Sequence, residues 1–227
     1  MHVFKKVMCF GDSWGSDLEL PGGKPFPDHV ALNLNVPCEN YAKGGSSLGL
    51  ITHTVVSKIK YITQNALVLI VIPPDFRWYS ESEKGFYSLQ DYCSTEYAVF
   101  FKNKTAEWFR YHHALFIFTI QKILKEKNCT YVMMHNFGQL DYNKYGLAID
   151  SNKFLSRKSL HELLTPIEFS PWSSYPDVLS QPNGPDEYFF RGPYFEGCQY
   201  HPNDLGHKKI AELILEFLNT NYPNIST

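Results

Sequence analysis

No apolar run in this sequence approaches the roughly 18 residues that a membrane-spanning helix needs; the longest, Ala66 to Ile72, has 7. No excess of charge is present either. Basic residues number 21 and acidic ones 23, a net charge of −2, which gives no electrostatic reason to expect duplex nucleic acid or an anionic membrane as partner. The five cysteines, at 9, 38, 93, 129 and 198, contain no CxxC pair, and their odd number leaves one over in any full disulfide scheme. Buried, reduced thiols of an intracellular protein are therefore expected. The first ten residues, with Lys5 and Lys6 among them, hold no h-region and run directly into a Gly-Asp-Ser turn. With no signal peptide, the expected location is the cytoplasm or a virus particle. Internal repeats and Gly/Ser linkers are also missing, so the 227 residues are expected to form one domain spanning 1–227.

What the chain does have is apolar content, at 44%, with an aromatic share of 16% against only 19% charged residues. That composition excludes wholesale disorder and is enough for a thick core. The runs Val3 to Phe10, Ala66 to Ile72 and Thr130 to Met134 read as buried strands, with a further short strand around Cys38 to Tyr41. Between them, Leu48, Ile51, Val55, Ile59 and Ile62 recur at helical spacing behind Ser46 and Ser47, which supply an N-cap signal. Apolar residues at helical spacing also run from about Thr95 to Lys127, and a last amphipathic helix is expected after Asn203. Strands alternating with helices predict an α/β fold with three α/β/α layers and a flavodoxin-like parallel sheet. The stretch Asp141 to Tyr200 breaks the alternation. It holds six of the 14 prolines and many aromatic residues, and is read as a long loop insertion over the carboxyl edge of the sheet, with one short helix near Ser159 to Leu164.

Three segments could carry chemistry. Gly11-Asp12-Ser13 stands directly after the first strand, where an open parallel sheet has its ligand crevice. By itself the tripeptide also fits an ordinary strand-end turn. Asn40 to Ser47 ends the second strand with paired glycines, Gly44 and Gly45, whose N–H groups can come close to an anion at a helix start. His201-Pro202-Asn203 precedes the last helix, with His201 in the loop, where its imidazole can reach the sheet edge, and His207 inside the first helical turns.

Taken together, these segments resemble the SGNH, or GDSL-type, hydrolase superfamily of esterases, lipases and deacetylases. The resemblance covers both ends of the chain, in matching order, and implies a serine esterase with an acyl-enzyme intermediate. It makes Ser13 the nucleophile and His201 the general base, with Ser13 and Gly45 giving backbone N–H groups to an oxyanion hole and Asp12 supporting the turn. No cofactor and no metal are implied. The implied substrate is a small-molecule or glycan ester, such as an O-acetylated carbohydrate or a lipid.

Two positions depart from the family pattern. The third block, usually Gly-x-Asn-Asp, reads Val71-Ile72-Pro73-Pro74-Asp75, so its oxyanion-donating Asn is missing; Arg77 or Asn136 is the candidate substitute. The triad acid, three residues before the base, is replaced by Cys198, and a thiol cannot orient an imidazolium as a carboxylate does. Candidate orienters of His201 are a backbone carbonyl near Cys198, Glu196 or Asp204, although Asp204 is rather expected to cap the final helix. These departures leave a second reading open: a catalytically degenerate scaffold, such as a viral structural module, that binds carbohydrate or a partner protein through aromatics such as Trp78 or Trp172. Cys198 and His201 lack a second ligand pair, so a metal site is not expected.

Overall fold

The computed structural model describes residues 3–16, 23–75, 77–78, 87–88, 104–138, 141–164, 194 and 201–223. Four strands, β1 (Lys6–Phe10), β2 (Cys38–Asn40), β3 (Ala66–Ile72) and β6 (Thr130–His135), form a parallel sheet in the order β2-β1-β3-β6. All seven residues of β3 and all six of β6 are buried, because helices cover both faces. Such strands read in sequence as unbroken apolar runs. The short pair β4 (Arg77–Trp78) and β5 (Tyr87–Ser88) is antiparallel and separate from this sheet.

Side-chain alternation along the strands divides the core in two. Val7, Cys9, Leu67, Leu69 and Val71 point to one face and pack on α1 (Phe26–Asn33) and on α5 (Asp204–Asn221). Met8, Phe10, Val68, Ile70 and Met133 point to the other, against α2 (Leu48–Ser57) and α3 (Ala106–Glu126). The result is the expected α/β/α layering. At the sheet centre, β1 has β2 on one side and β3 on the other, so the chain reverses its direction of winding there. The carboxyl ends of β1 and β3 consequently border a crevice.

Apart from α1, the described helices begin at residues whose side chains accept backbone N–H groups. Ser47 caps α2 through Leu50 N–H (3.3 Å), and Thr105 caps α3 through Trp108 N–H (3.1 Å). The short α4 (Leu160–Leu164) opens with a reciprocal box, in which Glu162 Oε2 accepts from Ser159 N–H (2.7 Å) and Ser159 Oγ accepts from Glu162 N–H (3.3 Å).

Two expectations need correction, and one helix has no counterpart among them. Helix α2 stops at Ser57 rather than running to Ile62; the Thr54 and Ser57 hydroxyls donate to backbone carbonyls in its last turns, and a 3-10 turn, Ile59–Tyr61, follows. Helix α1 was not expected at all. Its N-terminus has no side-chain cap from its own loop, but Pro27 fits the first turn and the Phe26 N–H finds an acceptor far away in sequence, Nδ1 of His207 at 3.1 Å. The cap of α5 is Asn203, whose Oδ1 accepts from Gly206 N–H at 2.9 Å, and Asp204 is instead its first residue. Of the long helical stretch predicted from Thr95, the part up to residue 103 lies outside the described residues, as do 165–193 and 195–200 of the aromatic loop.

Candidate functional site

The turn after β1 is held from both sides. The parallel ladder continues past the strand ends, with Tyr41 N–H donating to Cys9 O (2.8 Å) and Lys43 N–H to Gly11 O (3.0 Å). Gly11 lies so close to β3 that an added Cβ would sit 2.6 Å from Val71 Cβ, which leaves room for hydrogen only. Asp12 is fully buried. One of its carboxylate oxygens accepts from Trp14 N–H (3.1 Å) and the other from Asn136 Nδ2 (2.7 Å). These bonds supply what a buried carboxylate requires. Gly15 N–H closes the turn onto Asp12 O at 3.1 Å, and Trp14 packs edge-on against Phe137.

The second loop is fastened to this turn by Asn40. Its Nδ2 donates to Gly15 O (2.7 Å) and its Oδ1 accepts from Ala42 N–H (3.0 Å). Ser46 N–H then returns to Lys43 O (3.1 Å), closing a turn whose third residue is Gly45 with φ 74°, the left-handed region that glycine enters without steric cost. Among the described residues, neither the Ser13 N–H nor the Gly45 N–H meets an acceptor.

The third segment approaches from α5. Asn203 N–H donates to Tyr194 O (2.9 Å), and Gly206 lies against the same carbonyl and Pro202, so the start of the helix sits in a tight seat. From there, Nε2 of His201 reaches to 2.7 Å from Ser13 Oγ. A hydroxyl near one end of the chain and an imidazole near the other, 188 residues apart, thus share a hydrogen bond at the carboxyl edge of the sheet. Ser13 keeps 7% of its surface exposed, unlike Asp12 beside it, so the hydroxyl is not sealed off by the described residues.

The other sequence candidates fall in different places. Asn136, at the end of β6, uses its amide to hold Asp12, which makes it a support of the turn rather than a donor aimed past Ser13. Asp204 pairs with Lys208 and lies 3.7 Å from His29 Nε2; no described contact joins it to His201. Asp75, in the departing third block, pairs with Arg110 of α3 (3.2 Å). Glu196, Cys198, Trp172 and the side chains of Arg77 and Trp78 lie outside the described residues. Burial pushes the Cys9 thiol well up, and it pushes Cys38 to about 12, with a hydrogen bond to Asp28 and that group's charge adding to the effect. Both therefore stay protonated and are poor nucleophiles. Burial also lowers His207 to about 4, which keeps its ring neutral and its Nδ1 free to accept from Phe26. Among the described residues, no group of three or more His, Cys, Asp or Glu forms a metal site, and no helix is long and apolar enough to cross a membrane.

No protein-family model matches the sequence, and no curated protein matches it. Solved structures do match it. TesA aligns with a TM-score of 0.55 at 10% identity, over 95% of this chain and 98% of that one. The chain has the fold that solved lipolytic proteins of the G-D-S-L family share. A psychrotrophic esterase, EstA, from Pseudoalteromonas sp. aligns at 0.52 with 10% identity, over 95% and 97% of the two chains. A lipolytic G-D-S-L family protein from Veillonella parvula aligns at 0.50 with 14% identity, over 93% and 96%. At these identities the likeness concerns the GDSL fold alone. What the motifs missed in this chain was the role of His207, and only its place in the last of the three segments hinted at one.

Proposed function

We propose that this chain is a divergent GDSL-type carboxylic ester hydrolase in which Ser13 is the nucleophile and His201 the base. The observation that carries the reading is the 2.7 Å approach of His201 Nε2 to Ser13 Oγ, within the reach a nucleophile–base pair needs. As Oγ attacks the ester carbonyl carbon, its proton passes to Nε2. The Ser13 and Gly45 N–H groups receive the oxygen that becomes negative. When the carbon–oxygen bond to the alcohol breaks, the imidazolium returns that proton to the departing oxygen, leaving an acyl group on Ser13. Water then attacks this acyl group, again giving its proton to Nε2. The carboxylic acid departs as Oγ regains a proton.

We take the pair to work without the family's triad acid: the position three residues before His201 is Cys198, and of the candidate carboxylates Asp204 is engaged by Lys208, which leaves a backbone carbonyl near Cys198 or Glu196 as the orienter of the ring. Loss of an orienting carboxylate costs up to about 10⁴ in turnover in a serine triad, and one missing oxyanion donor costs about 10²–10³. A slow esterase is the expected outcome. A fluorophosphonate probe should label Ser13, and Ser13→Ala should remove both the label and the turnover of p-nitrophenyl butyrate. Unchanged turnover in that variant would refute the assignment.

The engagement of the Asn136 amide by Asp12 favours a second reading, a scaffold that binds an ester or glycan without cleaving it. Its expected result is a folded protein that the probe never labels. The substrate class that both readings share is a small-molecule, lipid or carbohydrate ester.

A further inference from the structure

The two N–H groups assigned to the oxyanion come from different loops. Ser13 stands in the turn after β1, and Gly45 in the turn between β2 and α2. Both are main-chain donors, so no change of rotamer can correct their aim. The placement of one loop against the other decides whether both reach a single oxygen. The third block, Pro73-Pro74-Asp75, brings no amide side chain to help them.

One side chain joins the two loops. Asn40 is the last residue of β2 and lies opposite Cys9 in the parallel ladder. Its Nδ2 donates to Gly15 O (2.7 Å) on the Ser13 turn, and its Oδ1 accepts from Ala42 N–H (3.0 Å) on the Gly45 loop. These partners fix which end of the amide is which, since a carbonyl only accepts and an N–H only donates. Each bond leads on to one of the two donors. Gly15 N–H bonds Asp12 O (3.1 Å), and that oxygen shares a peptide plane with the Ser13 N–H, so the bond sets the direction in which the N–H points. On the other loop, Lys43 follows Ala42. Its N–H is held by Gly11 O (3.0 Å), and its carbonyl accepts from Ser46 N–H (3.1 Å) and Ser46 Oγ (2.7 Å), which frames Gly45 at φ 74°. The ladder bonds bring the two loops together as far as Gly11, and beyond it the Asn40 amide carries the connection across to Gly15.

We propose that Asn40 is a positioning residue for the oxyanion hole: its amide holds the Ser13 and Gly45 N–H groups at the spacing that lets both bond one tetrahedral oxygen. It acts through the two loops and not on the substrate. The inference rests on the esterase reading above, since it takes those two N–H groups as the donors to the oxyanion.

Two variants separate positioning from simple support. Asn40→Ala removes both bonds. Asn40→Asp keeps the size and the acceptor for Ala42 N–H, but when ionised it sets a carboxylate oxygen against Gly15 O; when protonated, its O–H can donate to that carbonyl as the amide does. The groups it faces there, Gly15 C=O and Ala42 N–H, do not titrate.

The experiment measures kcat/KM for p-nitrophenyl butyrate from pH 5.5 to 8.5 in the full chain and both variants, with folding checked by circular dichroism at each pH. Asn40→Ala should lose about 100-fold at every pH, the scale of a misplacement of about 1 Å. Asn40→Asp should lose as much at pH 8.5 and regain about fivefold or more, relative to the full chain, by pH 5.5 as its carboxyl takes up a proton. Butaneboronic acid adds to Ser13 Oγ as a tetrahedral anion, the hydroxyl proton passing to His201, and should bind Asn40→Ala about tenfold or more weakly than the full chain. An amide that only supports the fold would leave the folded variants with unchanged kcat/KM and boronate affinity. A folded Asn40→Ala within about threefold of the full chain, or an Asn40→Asp deficit that does not move with pH, overturns the inference and leaves the esterase reading intact. If the full chain turns over no ester and the fluorophosphonate probe never labels Ser13, the esterase reading has failed, and the positioning role falls with it.

Discussion

Two single atoms constrain the Ser13 turn, and each supports a measurement. The missing Cβ of Gly11 allows the turn to lie on Val71, so Gly11→Ala must push the turn away from β3. Overpacking of this kind costs about 1–3 kcal/mol. A lower melting temperature is expected, together with a fall in turnover larger than any rise in KM. Asn136→Ala removes one of the donors to the buried Asp12 carboxylate, which should cost about 1–3 kcal/mol in a denaturant titration. Asn136→Asp should be worse at neutral pH, because it sets a second carboxylate against the first. Its deficit relative to the alanine variant should shrink as the pH falls and one proton is taken up between the pair. Equal stability of the two variants at all pH values would show that the contact is energetically empty. Ser13, Gly45 and His201 were legible in the sequence because each stands in a short motif at a strand or helix boundary. The task of Asn136 was not, since its partner Asp12 lies 124 residues away across the sheet.

Between elements, the main lesson comes from α1. Strands β3 and β6 were readable because burial on both faces leaves an unbroken apolar run, and α2 and α5 because each follows a capping residue, Ser47 and Asn203. Helix α1 lacks such a local signal. Its first N–H is satisfied by His207, 181 residues later, whose ring also stacks on Phe26 with centroids 6.1 Å apart. His207→Phe keeps the stack and deletes the acceptor, and is expected to cost about 1–2 kcal/mol. Amide hydrogen exchange should then speed up over residues 26–33 before it does so elsewhere. Protection unchanged over α1 would mean that the bond does not hold the helix. The same variant tests whether α5 seats His201: loosening α1 from α5 should lower kcat while leaving probe labelling specific to Ser13.

Across the described residues, burial holds three histidine rings neutral well below their ordinary range. Burial lowers His113 and His135 to about 3, with His135 adding to the effect on His113, and lowers His207 to about 4. In the unfolded chain each returns to about 6.5. Their contribution to stability is therefore complete above about pH 6.5 and is lost as the pH falls toward 3 to 4, because in that interval the unfolded chain binds protons that the folded one refuses. Near pH 5 about three protons are at stake, a slope of roughly 4 kcal/mol per pH unit before other groups offset it. Urea midpoints measured from pH 7.5 to 4.5 should decline steeply below pH 6. A flat profile would count against these buried neutral rings. The layering was legible because β3 is an unbroken apolar run set between helical periods; the order of the strands does not follow from any period in the sequence.

The hydroxyl is encoded at residue 13 and its imidazole at residue 201. During synthesis at about 5–20 residues per second, the ribosome would therefore expose Ser13 for roughly 10–40 s before His201 is made. Throughout that interval the serine is an ordinary alcohol. A chain ended between residues 55 and 200 would carry Ser13 and Gly45 but not the imidazole that takes the hydroxyl proton in the proposed reaction.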